Sequence, residues 1–324
     1  MFDSALVCAR CQPPTRAHFA AVAAARALAR RVLFVVLNAD DATSPANPFD
    51  NDTRRALLRA GGIEDDVEIV MLRDRRYAPA RWAAAAAALI DGRVTVIADR
   101  NAASTSLPLP ATWVAAEVET EFAAAEAAAR TCLLEAQGPD WARLAAIVPA
   151  AELAALRALV GSADFARLIA EALFLGEYRA AWHSAPFPPV FVTVDSVATW
   201  RDRVLLIERG RLPGRGLWAL PGGFIDLDET LANACLRELK EETGIVIEAS
   251  AVRDHRVFDD PLRSQRGRTI THAYRFVLDH LPSPPLAVGA DDAVAAAWVP
   301  LADLRPKRLF DDHYFILQSM LALD

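Results

Sequence analysis

From the N-terminus to Asp99, short apolar runs alternate with stretches whose apolar residues recur at helical spacing. SALVCA (4–9), VLFVVLN (32–38), VEIVML (67–72) and VTVIAD (94–99) read as buried strands. HFAAVAAARALARR (18–31), TRRALLRA (53–60) and RWAAAAAALI (81–90) read as helices between them. That alternation predicts an α/β domain with a parallel, doubly wound sheet. From Trp113 to Trp182 the pattern turns helical, broken at GPD (138–140), with AELAALRALV (151–160) and DFARLIAEALF (164–174) the clearest helices. The three prolines of SAPFPP (184–189) cannot continue a helix and suit a stiff, extended linker. Beyond it VFVTVDSVAT, RVLLIER, ALPGGFID, ITHAYRFVL and AAAWVP are strand-like, and only TLANACLRELKEET (230–243) and DHYFILQSMLAL (312–323) look helical. The expected organisation is one domain over 1–183, a linker over 184–189 and an α+β domain over 190–324.

Length agrees, since 324 residues at about 150 per domain give two domains. A chain 53% hydrophobic and 24% charged is not intrinsically disordered. No stretch offers about 20 consecutive apolar residues, so no membrane span is expected. The start, MFDSALVCAR, has no basic region leading into a long apolar core, so no secretory signal is expected either. Thirty-five basic against 42 acidic residues leave a net charge of −7, which argues against nucleic-acid binding by bulk charge and leaves room for a local basic pocket. The four cysteines, Cys8, Cys11, Cys132 and Cys235, are too few and too scattered for a disulfide framework, so a reducing cytoplasm is expected. A redox or metal role for Cys8-x-x-Cys11 competes with simple packing, and no second pair stands at metal-site spacing.

The chemistry concentrates in GFIDLDETLANACLRELKEETGI (223–245). Asp228 or Thr230 can cap its helix, and Gly244 can end it in a left-handed conformation. Glu238, Glu241 and Glu242 stand at i, i+3, i+4 and share one helix face. Like charges so placed cost about 0.2–0.5 kcal/mol per pair in an isolated helix, and a divalent cation reverses that sign. Mg²⁺ prefers carboxylates together with substrate phosphates and retained waters, so this face can hold Mg²⁺ against a diphosphate. The competing reading is a solvated face with Arg237 paired to Glu241. The preceding LPGG favours the functional one, because Gly222 and Gly223 let backbone approach a ligand closely.

The segment fits G-x5-E-x7-R-E-U-x-E-E-x-G-U (U aliphatic) through Gly223, Glu229, Arg237, Glu238, Leu239, Glu241, Glu242, Gly244 and Ile245, and so resembles the Nudix box. The resemblance implies Glu238, Glu241 and Glu242 as metal ligands for Mg²⁺, with Mn²⁺ as an alternative, and Glu229 with Arg237 as the pair that orients the helix. Around the box, WHSAPFPPVFVTVDSV (182–197), RGLWALPGGFID (215–226), VFDDPLRSQRGRTITHAYRF (257–276) and GADDAVAAAWVPLADL (289–304) resemble one subgroup. It is the C-terminal half of the bifunctional nicotinamide-mononucleotide (NMN) adenylyltransferase/Nudix hydrolase family. That implies an α/β/α-sandwich Nudix domain, cleavage of ADP-ribose to AMP and ribose 5-phosphate, a small nucleotide as the partner, no nucleic acid or membrane partner, and a homodimer. A broader nucleoside-diphosphate hydrolase stays open, because the box reports chemistry and not substrate. Arg263, Arg266 and Arg268 suit such a substrate, since guanidinium forks match phosphate, with a solvated turn about Gly267 as the alternative. Phe258 and Trp218 can stack on adenine or lie buried. Asp291 and Asp292 sit where Nudix enzymes place a further acid, so Asp292 is a candidate general base or extra ligand, with a plain turn as the alternative. His272 reads as structural.

The N-terminal half resembles the same family, which implies a Rossmann-like nucleotidyltransferase-type domain. The family motif G-R-F-Q-P-x-H-x-G-H reads here as Ala9-Arg10-Cys11-Gln12-Pro13-Pro14-Thr15-Arg16-Ala17-His18. Gln12, Pro13 and His18 remain; Thr15 replaces the first histidine, and Ala9 and Ala17 replace glycines. Thr15 cannot supply an imidazolium to a developing phosphate charge. NPFDNDTRR (47–55) and RRYAPARW (75–82) still resemble the family. The later S-x-T-x-x-R motif aligns with AARTCL (128–133) and places Leu133 at its arginine. Loss of adenylyl transfer is the expectation, with Gln12, Thr15 and His18 left in a degenerate site. Two alternatives are a truly bifunctional enzyme and a non-hydrolysing ADP-ribose sensor that regulates transcription. Against the sensor, every box carboxylate is present, and with the sequence ending at Asp324 no basic winged helix is expected after the Nudix fold.

Overall fold

The computed structural model describes residues 1–74, 76–99, 110, 112–118 and 121–323, so Arg75 of the RRYAPARW segment lies outside the described residues. Compactness divides the chain into Met1–Ala172 and Leu173–Asp324. The first unit runs β1 (Phe2–Ala9), α1 (Arg16–Leu28), β2 (Ala29–Val36), α2 (Asn51–Ala60), β3 (Val67–Met71), α3 (Pro79–Ala87), β4 (Val94–Asp99), β5 (Val114–Val118), α4 (Phe122–Leu133), α5 (Trp141–Ile147) and α6 (Ala150–Val160). Helix α7 (Ala163–Ala180) spans the division.

The first sheet is parallel throughout, in the order β3-β2-β1-β4-β5, which is the doubly wound arrangement. Strand β1 is central and apolar on both sides because helices cover both faces. Two expectations are corrected here. The helix expected over 18–31 ends at Leu28, because Ala29 and Arg31 pair with Phe2 and Ser4 and so begin β2. The stretch expected to be helical from Trp113 opens instead with β5, which pairs with β4. Its sequence, VAAEV, carries a helix former's composition, and sheet pairing overrides that propensity.

The second unit contains β6 (Phe191–Trp200), β7 (Arg203–Arg209), β8 (Trp218–Ala219), β9 (Gly222–Phe224), α8 (Leu231–Thr243), β10 (Val252–Phe258), β11 (Thr269–Val277), β12 (Ala293–Pro300) and α9 (His313–Leu321). Its mixed sheet has the order β10-β11-β6-β7-β12, with β9 on β6 and β8 on β7. Helix α8 lays Ala234, Cys235 and Leu239 against Val194, Leu205 and Phe276 of the sheet. The sequence pattern missed β10, a largely exposed edge strand rich in charge. Composition sets the domain boundary at 184–189, whereas compactness sets it inside α7. The physical reason is aromatic: Tyr178 and Trp182 contact Phe191 at centroid distances of 5.9 and 5.3 Å, which ties the end of α7 to the second unit.

In the first unit, Glu152 sits in the first turn of α6, fully buried, with neither carboxylate oxygen hydrogen-bonded. Burial pushes its carboxyl up to about 9. Because the folded state holds the proton more tightly, the group is harmless at acid pH and destabilises increasingly as pH rises from the ordinary carboxylate range towards 9. Glu152→Leu is expected to raise the melting temperature by roughly several degrees at pH 9 and far less at pH 5. Thermal melts in the two buffers check this, and equal shifts at both would contradict it.

Candidate active site

Helix α8 starts where the Thr230 hydroxyl accepts from Asn233 N–H at 3.3 Å, and it ends at Gly244 with φ 72°. Of the two caps the sequence allows, Thr230 is therefore the one used. Between these ends the carboxylates are organised by one guanidinium. Arg237 grips Glu229 through Nη2–Oε1 at 2.6 Å and Nε–Oε2 at 3.1 Å. Its Nη1 donates to Glu238 Oε1 and Glu241 Oε2, each at 2.9 Å, and its Nη2 also reaches the Phe224 carbonyl at 3.1 Å. Glu229 accepts the Asp226 N–H at 2.9 Å as well, so the pair pins the loop between β9 and α8. The hydrogen bond from Arg237 holds Glu229 below the ordinary carboxylate range.

Glu238 and Glu242 turn towards the glycine pair. Gly222 N–H donates to Glu242 Oε2 at 2.8 Å. A Cβ on Gly223 would lie 2.4 Å from Glu238 Oε1, and one on Gly222 would lie 2.1 Å from the Val194 carbonyl oxygen, so neither position admits a side chain without displacement. Burial lifts Glu238 above the usual range against the pull of Arg237, and the charges of Glu241 and Asp291 add to the rise. Burial pushes Glu242 up to about 8, with Glu238 and Asp195 adding repulsion and Arg209 offsetting part of it. Among the described residues, no three acidic or histidine groups converge as a ready-made metal cluster. Glu241 is half exposed and turned to Arg237, so the ion pair of the competing reading exists alongside the buried carboxylates. The donor set nevertheless fits a hard divalent cation. Glu238 and Glu242 are oxygen donors whose mutual repulsion and burial a cation would relieve.

The structure corrects part of the expected substrate set. Arg263 is 5% exposed, and its fork closes on Asp312 with two bonds of 3.0 Å, so it braces the fold rather than facing a ligand. Phe258 is 3% exposed and offers no stacking face. Arg266 and Arg268 do line an open cavity with Phe191. Trp218 joins β8 to the segment at Leu309 and Phe310. Asp292 lies 2.8 Å from Arg211 Nη1, while Ala290 N–H bonds the Glu242 carbonyl, which sets the 290–292 loop at the end of α8. His272 bonds His255 at 2.9 Å within the β10–β11 pair.

Sequence reasoning missed Asp195, Arg209 and His313. Asp195 accepts from the Thr271 hydroxyl at 2.5 Å and stands 3.8 Å from His313 Nε2. His313 Nδ1 accepts the Leu220 N–H at 2.9 Å, and burial holds that imidazole below its usual range, so it braces the LPGG turn as a neutral acceptor. Burial and the charge of Arg266 likewise depress Arg209. The available signal was a charge inside an apolar strand, Asp195 in VFVTVDSVAT and Arg209 at the end of RVLLIER.

A family model for the NUDIX domain matches residues 190–319. The ADP-ribose pyrophosphatase of Methanocaldococcus jannaschii is 36% identical over 146 residues, which cover 45% of this chain and 79% of that protein. The chain belongs to the Nudix family. This Nudix hydrolase also resembles, over its whole length, a bifunctional NMN adenylyltransferase/ADP-ribose pyrophosphatase from Francisella tularensis. Two crystal structures of that protein, one complexed with AMP and a manganese ion, match at TM-scores of 0.88 and 0.87, with 28% and 30% identity and 99% of each chain covered. The ADPR-responsive transcriptional repressor NtrR of Acinetobacter baylyi is 30% identical over 154 residues, covering 47% of this chain and 60% of that protein.

In the first unit the degenerate motif is closed on itself. The Gln12 amide exchanges two bonds of 2.8 Å with the Phe49 backbone. His18 Nδ1 accepts the Thr15 N–H at 2.9 Å, and both residues are fully buried. Glu126 of α4 accepts from Cys11 N–H at 3.0 Å and from Arg130 at 2.6 Å, and lies 3.5 Å from His18 Nε2. Leu133 is core. Both Cys8 and Cys11 are buried, and burial pushes the Cys8 thiol up to about 12, which leaves no reactive pair.

Gly223→Ala should push Glu238 off its seat without touching the core. Turnover of ADP-ribose, the substrate expected from the sequence, should fall roughly a hundredfold, while the melting temperature holds. Steady-state rates and a thermal melt check this, and an unchanged rate would remove Glu238 from its assigned place.

Proposed function

We propose that the chain is a Mg²⁺-dependent pyrophosphatase that cleaves ADP-ribose to AMP and ribose 5-phosphate, with Mn²⁺ as a substitute ion. The observation that carries this reading is the pair of raised carboxylates, the partly buried Glu238 and the buried Glu242, packed against the Gly222–Gly223 turn within an intact Nudix box. The relatives support it: an ADP-ribose pyrophosphatase, and a bifunctional enzyme whose crystal structure is complexed with AMP and a manganese ion. Glu238, Glu241 and Glu242 would hold the cation, which supplies positive charge to the diphosphate. Arg237 and Glu229 fix the pitch of α8 so that these carboxylates face the glycine turn. Arg266 offers a guanidinium to a phosphate oxygen. Asp292, oriented by Arg211, is the base that takes the proton of the attacking water.

The domain limits in this reading stay 1–183 and 190–324, with the first domain inactive in adenylyl transfer. Thr15, Ala9, Ala17 and Leu133 replace the family's phosphate-binding residues, and Glu126 takes up the Cys11 N–H. The similarity to a transcriptional repressor favours a second reading, an ADP-ribose sensor, and a specific DNA mobility shift would be its signature. A homodimer is carried by the family resemblance and would show as a native mass twice that of one chain. A cytoplasmic setting is supported by four unpaired cysteines and by the absence, among the described residues, of a helix long and apolar enough to cross a membrane.

One panel tests the main reading. Purified protein with Mg²⁺ is expected to release AMP and ribose 5-phosphate from ADP-ribose and to form no NAD from NMN and ATP. NAD formation would make the chain bifunctional, and intact ADP-ribose would refute the substrate. Glu242→Gln keeps volume and removes a ligand charge, so its rate should drop by roughly a thousandfold, or about 4 kcal/mol of transition-state stabilisation.

A further inference from the structure

The turn at 220–223 seats the carboxylates of α8, and its backbone is gripped from behind by side chains that stand outside the Nudix box. Leu220 is 1% exposed, and the acceptor for its N–H is Nδ1 of His313, at 2.9 Å. A backbone N–H can only donate, so Nδ1 is bare and the ring proton sits on Nε2, which faces Asp195 Oδ1 at 3.8 Å. Pro221 has no N–H, and its carbonyl accepts from Ser196 N–H at 2.7 Å. Gly222 pairs with Asp195 across β6 and β9 and donates its own N–H to Glu242 Oε2 at 2.8 Å. The Asp195 carboxylate lies against this glycine, since a Cβ there would stand 3.0 Å from Oδ1. Three consecutive residues are thus fixed by α9, by β6 and by α8 in turn.

His313 and Asp195 are themselves held firmly. His313 is the first residue of α9; its N–H bonds the Phe310 carbonyl at 3.1 Å, and its ring meets that of Phe310 edge-on at 5.6 Å. Phe310 donates its N–H to the Trp218 carbonyl at 2.9 Å, so the segment leading into α9 holds the chain on both sides of Ala219. Asp195 Oδ2 takes the Thr271 hydroxyl and stands 3.9 Å from Arg263, whose fork is closed on Asp312. Burial keeps the His313 ring neutral against the charges of Asp195, Asp312 and Asp311, and Arg263 adds to the effect of burial. The network ends on Gly222, whose N–H sets the direction of Glu242. Metal-ligating groups work within about 0.5 Å of their productive geometry, and partners one bond removed set their orientation.

We propose that His313 and Asp195 are positioning residues for catalysis: His313 fixes the Leu220 end of the turn and Asp195 its Gly222 end, and the Gly222 N–H thereby holds Glu242 in the orientation of a metal ligand. Helix α9, distant in sequence from the box, is then a working part of the active site. The inference rests on the pyrophosphatase reading for turnover, though not for cation affinity.

The test compares His313→Asn with His313→Phe in the full-length protein. Asn presents an amide oxygen where Nδ1 stands, whereas Phe keeps a ring and removes the acceptor. Calorimetric titration of Mn²⁺ without substrate should give His313→Phe a dissociation constant at least about tenfold above that of the wild type, and His313→Asn should recover most of the loss. On ADP-ribose at saturating Mn²⁺, kcat should fall at least about tenfold in His313→Phe while KM stays within about twofold, with the same recovery in His313→Asn. A role in stability alone would lower the melting temperature and leave the Mn²⁺ affinity and kcat of the folded variants at wild-type values. That result overturns the assignment, as does an equal loss in both variants. Should His313→Phe not fold, nitrogen-15 NMR of the wild-type histidines decides. His313 is expected to show a bare Nδ1 and a protonated Nε2 that shift when Mg²⁺ is added, and a proton on Nδ1 or no response to Mg²⁺ overturns the assignment. If the wild type leaves ADP-ribose intact, the pyrophosphatase reading falls. The positioning assignment then stands if His313→Phe weakens Mn²⁺ binding at least tenfold and His313→Asn restores it, and falls if all three proteins bind Mn²⁺ equally or none binds it.

Discussion

The second unit depends on a charge problem solved by Arg237. Helix α8 and its leading loop bring Glu229, Glu238 and Glu241 within reach of one another, and a single guanidinium bonds all three together with a backbone carbonyl. A planar fork with five donors can do this where an ammonium cannot. The consequence is directional. With Glu229 drawn to one side of Arg237 and Glu241 to another, the partly buried Glu238 and the buried Glu242 are left facing the glycine turn. Two carboxylates raised by burial and by neighbouring acidic charge, Glu241 and Asp291 on Glu238 and Glu238 on Glu242, form a place that gains from a cation. The support continues behind the turn, where neutral His313 and Asp195 fix the LPGG backbone.

The first unit meets a similar constraint in the opposite way. Around the altered motif, Glu126 is buried, a circumstance that alone would raise its carboxyl. His18 and Arg130 together hold it below the ordinary range. Its Oε2 occupies the Cys11 N–H, a backbone donor of the kind that an anionic ligand needs. Thr15 bonds His18 through Nδ1, and Gln12 bonds the Phe49 backbone. In this network the chain itself supplies most of the donors and acceptors. Around α8 the chain leaves Glu242 without a cation of its own, buried and raised, with the Gly222 N–H as its bonded donor.

Much of the architecture was legible because local pattern and tertiary role coincided. β1, β2 and β7 carry buried apolar runs, and α8 carries a cap, a left-handed glycine and a periodic apolar face. Pattern failed where tertiary pairing decided the outcome. Ala29–Arg31 and Val114–Val118 read as helix and form strands because neighbouring strands claim them. β10 is an edge strand whose exposed charges mask its alternation. The carboxylates of the site were legible from spacing. Which arginines lie buried and which line a cavity was not, because Arg263 and Arg266 stand three residues apart in one loop and differ in what approaches them. Arg263 meets Asp312 of the distant 311–312 turn, whereas Arg266 meets Phe224.

Selectivity has a different physical origin from the chemistry. A carboxylate face recognises any diphosphate that carries a cation, so the box alone is indifferent to what hangs from either phosphorus. Discrimination needs a surface beyond the diphosphate that favours one substituent. In this unit Trp182 and Phe224, each exposed by more than a third, both pack against Phe191, and Phe224 directly follows the glycine pair. Three arginines and no carboxylate among the described residues line the cavity. Large apolar side chains left in water beside cations are costly to solubility and add nothing to the core. An aromatic pair with cations beside it suits an amphipathic anion. The proline-rich segment holds that surface rigid, because each proline removes backbone freedom that a ligand would otherwise have to freeze on binding.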